Sequence, residues 1–196
     1  MGSNPTLSAI LRLLNSLPLR ILWRPEAAWD AVHAAAPGWR RSLFGLAAPL
    51  ALVPAFAWPI GHAADPIGPG TTTALSLATS VAVTFAFCLF AVLAVAAAIY
   101  ALAPLFSAGR HWDRAVAVAA YSSVPIFLAS PLLASAVLTI LVVVAFFHGC
   151  FLCGIGLRRL LGCSGEDAAM YVAAIAFVSG LAVAVLGGLS SAVGIL

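Results

Sequence analysis

The stretch Gly109–Pro125 reads GRHWDRAVAVAAYSSVP, and its first half decides the fold. Arg110, Asp113 and Arg114 are the only charged side chains between Asp65 and Arg158. On either side, residues 66–109 and 115–157 contain no Asp, Glu, Lys or Arg. About 20 apolar residues in a helix cross the roughly 30 Å hydrocarbon core of a bilayer. Uncharged runs this long cannot both be soluble core, so the charged cluster is a water-facing loop between membrane spans. The second half of the stretch re-enters the apolar phase carrying Tyr121, Ser122, Ser123 and Pro125, a polar and kinked entry.

Composition agrees. The 196 residues are 64% hydrophobic and 8% charged, where a soluble domain carries roughly 25% charge. The expected fold is all-α: one polytopic membrane domain. The net charge of +3 is carried by nine dispersed basic residues, all Arg, which do not build the basic surface that nucleic acid requires. Arg without Lys, beside abundant Ala, suggests a GC-rich bacterial genome and hence an inner-membrane location. Arg12, Arg20 and Arg24 interrupt the apolar residues near the start, so no cleavable signal peptide is expected.

Working outward, residues 1–41 are expected to form cytoplasmic, interfacial helices. Leu7, Ile10, Leu11, Leu14 and Leu17 share one face of a helix over residues 5–20, too short and too charged to span. A second short helix starts at Pro25 and stops near Pro37-Gly38, punctuated by Trp23, Trp29 and Trp39, a residue type that favours the membrane interface. The membrane domain, residues 42–196, then divides into five spans at about 42–64, 71–103, 112–129, 131–157 and 168–189. Ser130-Pro131 reads as N-cap and first residue of the fourth, and Ser164-x-x-Asp167 as the capping box of the fifth. Residues 71–103 as one helix would be about 50 Å long, more than the bilayer core needs.

Arginine sets the orientation. Residues 1–41 hold five Arg, 61–70 none, 109–114 two, 130–135 none and 158–167 two. That alternation places the N-terminus in the cytoplasm and the C-terminus in the periplasm.

Few residues invite chemistry. Tyr121, Ser122 and Ser123 lie roughly 10–14 Å beyond Arg114 along a helix. Pro125 lacks an N–H and crowds the carbonyl of Tyr121, so the element is either a packing kink or a polar pocket for a headgroup or partner helix. His148 lies about 15 Å from Arg158, deep in a span, where an ionisable side chain marks either function or an interhelical hydrogen bond. His148, Cys150 and Cys153, with Cys163 beyond, fall short of a zinc ligand set; Cys and Gly there make a narrow face for close packing. Asp113 between Arg110 and Arg114, and Glu166-Asp167 at a helix start, have structural uses. No catalytic residue, cofactor or metal is expected.

The segment Arg24-Pro25-Glu26-Ala27-Ala28-Trp29-Asp30, the break before the first span, and the Gly-Arg…Arg-Ala…Ala-Ala-Tyr-Ser-Ser-Val-Pro run together resemble the Yip (Ypt/Rab-interacting) domain family, in its bacterial branch. The resemblance implies a five-span architecture and a special role for Tyr121–Pro125. Eukaryotic members engage Rab GTPases in the Golgi and endoplasmic reticulum; a bacterial source supplies no such partner. The expectation is a non-catalytic protein that organises membrane or binds membrane partners: the lipid bilayer, other membrane proteins or a second copy of the chain. The alternative is a small transporter or lipid-moving protein with a polar path near Tyr121–Ser123 and His148.

Overall fold

The computed structural model describes residues 17–63, 74–134 and 138–192, all but short connections of them helical, with no strand among the described residues. Most of the expected helix over residues 5–20, and the loop holding Asp65, lie outside the described residues. Two short helices come first, α1 (Leu17–Trp23) and α2 (Pro25–Ala35). Pro25 opens α2 where its missing N–H costs nothing. Ala36 closes it in the left-handed region at φ 38, and Pro37 follows.

Five helical legs form the bundle. The first comprises α3 (Trp39–Ser42), a π-turn at Leu43–Ala47 and α4 (Ala48–Ala63). Pro49 offers no N–H to the carbonyl of Gly45, and the wider π-turn just before it absorbs the misfit. The second leg is α5 (Ala74–Leu102), ending in a 3-10 turn at Ala103–Phe106. The third is α6 (Trp112–Ser122), broken at Ser123, then α7 (Val124–Ala129) and a 3-10 turn at Ser130–Ala134. The fourth and fifth are α8 (Thr139–Leu161) and α9 (Gly165–Ala192). Among the described residues, four helices are long and apolar enough to cross a membrane: Leu77–Phe106, Trp112–Leu133, Thr139–Leu161 and Gly165–Ala182.

The fourth leg begins later than the sequence pattern places it. The Ser130 Oγ donates to the carbonyl of Phe127 at 2.7 Å, and Ser130-Pro131 belongs to the 3-10 turn that finishes the third leg. At the other end α8 runs on through Arg158 and Arg159 to Leu161. Those cations complement the negative C-terminal end of the helix, and Gly162 terminates it at φ 73. The start of α9 has the expected cap: Ser164 Oγ donates to Asp167 Oδ2 at 2.7 Å and accepts the Asp167 N–H at 3.1 Å.

At the centre stands α6. Every residue from Ala115 to Ala120 is buried, and α6 packs against α3, the π-turn, α5, α7 and α8. A helix buried on all faces must be apolar all round, and its alternation of Ala with Val keeps neighbouring backbones close. The outside of the bundle is apolar too. Phe56, Ile140, Phe147, Phe177 and Leu181 are each more than half exposed, a surface too oily for water and suited to lipid.

Candidate functional site

The loop 109–114 works as a staple between helix ends. Asp113 Oδ1 accepts the backbone N–H of Trp39 at 2.7 Å, placing a carboxylate at the start of the first leg. Arg114 Nη1 donates to the carbonyl of Leu160 at 2.8 Å, and the N–H of Gly109 to that of Leu161 at 2.7 Å. Both bonds satisfy carbonyls left open by the end of α8. Arg110 lies over the Tyr100 ring, 4.4 Å from its centroid. The three charges thus serve three different helices, with dipole-complementary signs for Asp113 and Arg114.

Helix α2 docks onto the same end. Arg159 reaches Asp30 at 3.1 Å and Glu26 at 3.7 Å. Those pairs are exposed and contribute under about 1 kcal/mol. Trp29 carries the joint. Its ring is fully buried against Gly156, where an added Cβ would come within 2.8 Å of it, and it lies 5.8 Å from the Tyr121 ring. Glu26, Trp29 and Asp30, from the conspicuous Arg24–Asp30 segment, therefore form one latch. Cys163 is buried beside this end; burial pushes its thiol up, and the Asp167 carboxylate adds to the shift.

Further along α6 the chain bends. The N–H of Ser123 still reaches Ala119 and that of Phe127 reaches Ser123, but Pro125 supplies no N–H for Tyr121. Gly149 of α8 fits against this bend: an added Cβ would stand 2.8 Å from the carbonyl oxygen of Ser122 and 3.7 Å from the Pro125 ring. Beside it, α5, the α6–α7 bend, α8 and α9 enclose a cavity of about 380 Å³. Its walls include Val92, Ser122, Phe127, Cys153, Ile175 and Ser179. It opens to the side of the bundle at Phe146 and Gly180, both exposed.

Ser122 and Ser123 therefore share the cavity wall, while the other singled-out residues lie elsewhere. Tyr121 lies outside the cavity lining, with its ring against that of Trp29. Pro125 backs the Gly149 contact. His148 is half-buried with its ring 6.1 Å from that of Phe151, away from the cavity lining. Cys150 and Cys153 line the cavity and Cys163 the charged end; among the described residues no three His, Cys, Asp or Glu side chains gather to hold a metal ion.

One residue escaped the sequence reading altogether. Tyr171 is fully buried, donates its hydroxyl to the carbonyl of Ile99, and stacks on Phe106 at 4.6 Å and 12°. It ties α9 to the end of α5. A lone Tyr in an apolar run was the available signal, because a buried phenol needs a hydrogen-bond partner.

No curated protein and no solved structure matches the chain. The family model described as Yip1 domain matches residues 19–187, from α1 to late α9, covering both the latch and the bend. The match takes in most of the chain, stapled loop and apolar legs included, and this chain belongs to the Yip1 domain family.

Proposed function

We propose that this chain is a non-catalytic protein of a bacterial inner membrane that organises membrane or binds membrane partners. It crosses five times, the first leg included, with the charged end in the cytoplasm and the C-terminus in the periplasm. The Arg-rich latch and loops gathered at one end support that orientation. One observation carries the functional reading. The side chains that would have to line up as a polar path fall in three places: Tyr121 at the latch, Ser122 and Ser123 at the cavity, and His148 beside Phe151. Without a continuous polar route, moving a solute across the bilayer is disfavoured, and the exposed apolar legs are left to meet lipid or other helices.

The test is reconstitution. Vesicles containing the protein should move neither an enclosed solute nor a labelled phospholipid faster than empty ones. In cells, residue-specific crosslinking from the outer faces of α8 and α9 should trap a membrane protein or a second copy of the chain. Protein-dependent movement of solute or lipid would replace this reading with the transport one.

His148 sharpens the contrast. His148→Gln keeps a polar side chain of similar reach and is expected to leave melting temperature and partner crosslinking unchanged. Loss of crosslinking in a variant that melts like wild type would give His148 a functional role.

A further inference from the structure

The cavity beside the bend holds three serines, and none has a donor to spare. Ser123 Oγ donates to the carbonyl of Ala119 at 2.6 Å, and Ser179 Oγ to that of Ile175 at 2.5 Å. Each hydroxyl is consumed by its own helix. The Ser122 hydroxyl is buried and bonds the Cys153 thiol. Among the described residues no Asp, Glu, Arg or His lines the space. What stays open to an occupant is apolar surface: Val95, Ile126, Val172 and Ala176, each half-buried, with Cys150 among them. Water fits poorly there, since a buried water needs two to four polar partners. Empty space fits poorly too, because its lining forfeits dispersion contacts.

Depth decides what reaches the space. Counted along their helices from Arg114 and Arg158, Ala119 and Cys153 stand about 8 Å inside the charged end, and both are buried. Phe146 lies about 18 Å from Arg158, and Gly180 about 22 Å from the start of α9. These two are the exposed members of the lining. In a hydrocarbon core of roughly 30 Å the midplane is about 15 Å from either edge. The cavity therefore opens sideways near the middle of the bilayer and runs back toward the charged end. At that level the ends of acyl chains meet, and a chain end is slim, flexible and uncharged.

We propose that the end of a phospholipid acyl chain enters this cavity, methyl group first, from the bilayer midplane and is held there by packing alone. The chain leaves one apolar phase for another, so no hydrophobic gain accompanies entry. Occupancy comes from recovered dispersion contacts and from the abundance of chain ends at the mouth. The site rests on the membrane embedding proposed above but not on partner binding, and it can fail while the embedding stands.

The test uses the full chain in phosphatidylcholine nanodiscs doped with a phosphatidylcholine photoprobe. In one probe the diazirine sits at the methyl end of an acyl chain, in the other beside the ester. Crosslinks are mapped by peptide mass spectrometry in wild type, Gly180→Phe and Ala176→Phe. At Gly180 an added Cβ meets nothing within 4 Å, so a larger side chain there narrows the mouth without disturbing the packing; Ala176→Phe fills the space itself. In wild type the chain-end probe should label Val95, Ile126 and Val172 and the ester-side probe should not. Both variants should lose that labelling. Chain-end labelling of the exposed Phe147, Phe177 and Leu181, alike in all three proteins, reports the embedding separately. A wall left unlabelled in wild type while those outer residues are labelled would overturn the proposal. So would wall labelling that persists in variants melting like wild type, or ester-side labelling of the wall as strong as the chain-end probe's. Absence of the outer labelling as well would overturn the embedding together with the site.

Discussion

Replacing Gly149 with Leu is expected to abolish the folded bundle in mild detergent, and Gly149→Ala alone to cost about 1–3 kcal/mol. The atom in the way is backbone. A Cβ at this position would lie 2.8 Å from the Ser122 carbonyl oxygen, and that carbonyl belongs to the bend of the central helix, which has no room to retreat. Relief requires α8 to move away from α6 and α7 together, opening a contact that runs the length of the third and fourth legs. Gly180→Ala is the control. Nothing stands within 4 Å of an added Cβ there, and the change should be neutral or slightly stabilising through helix propensity. Melting curves of the three proteins in one detergent decide the matter; a Gly149→Ala protein as stable as wild type would mean the two legs are not in close contact.

The second large effect is at the latch. Trp29→Ala removes a fully buried ring and should cost about 3–5 kcal/mol if the whole burial is lost. The expected signature is local. Helix α2 meets the bundle mainly through α8, so residues 17–36 should become susceptible to protease while the legs stay folded. Arg159→Ala should do far less, because its partners Glu26 and Asp30 are 75% and 57% exposed and solvent screens such pairs. Limited proteolysis with mass spectrometry separates the two. Equal protease resistance in Trp29→Ala and wild type would show that α2 is held by something other than the ring.

Much of this arrangement could be read from charge alone. Long runs without Asp, Glu, Lys or Arg mark the legs, because the energetics of the bilayer leave little choice of fold for such a chain. The Ser164–Asp167 cap was readable as well, since its chemistry is local. What escaped is one local choice of acceptor and several contacts between residues far apart in sequence. Ser130-Pro131 carries the letters of a helix start, yet the Ser130 hydroxyl turns back to Phe127. Asp113 looks like the partner of its neighbours Arg110 and Arg114, and instead caps a helix that begins at Trp39. Gly149 and Gly156 belong to the narrow Cys and Gly face of α8; that one receives a backbone carbonyl and the other an indole ring is set by helices distant in sequence. Tyr121 and Ser122 are adjacent in sequence and look like one polar element. A helix turns about 100° per residue, which sends one to the latch and the other to the cavity.

In the proposed topology α2, the loop 109–114 and the α8–α9 turn share one face of the membrane, with an odd number of spans threaded between them and the C-terminus. Native Cys163 is a poor reporter of that face, being 5% exposed with its thiol raised by burial, so that little thiolate forms near neutral pH. Glu166 is exposed, and Glu166→Cys gives a reactive probe there, while Asp65→Cys probes the segment that the proposed topology puts on the other side. Labelling each with a membrane-impermeant maleimide, in spheroplasts and in everted vesicles, is the most direct measurement. Glu166→Cys should react only in everted vesicles and Asp65→Cys only in spheroplasts; reaction of both from the same side would contradict the five-span account.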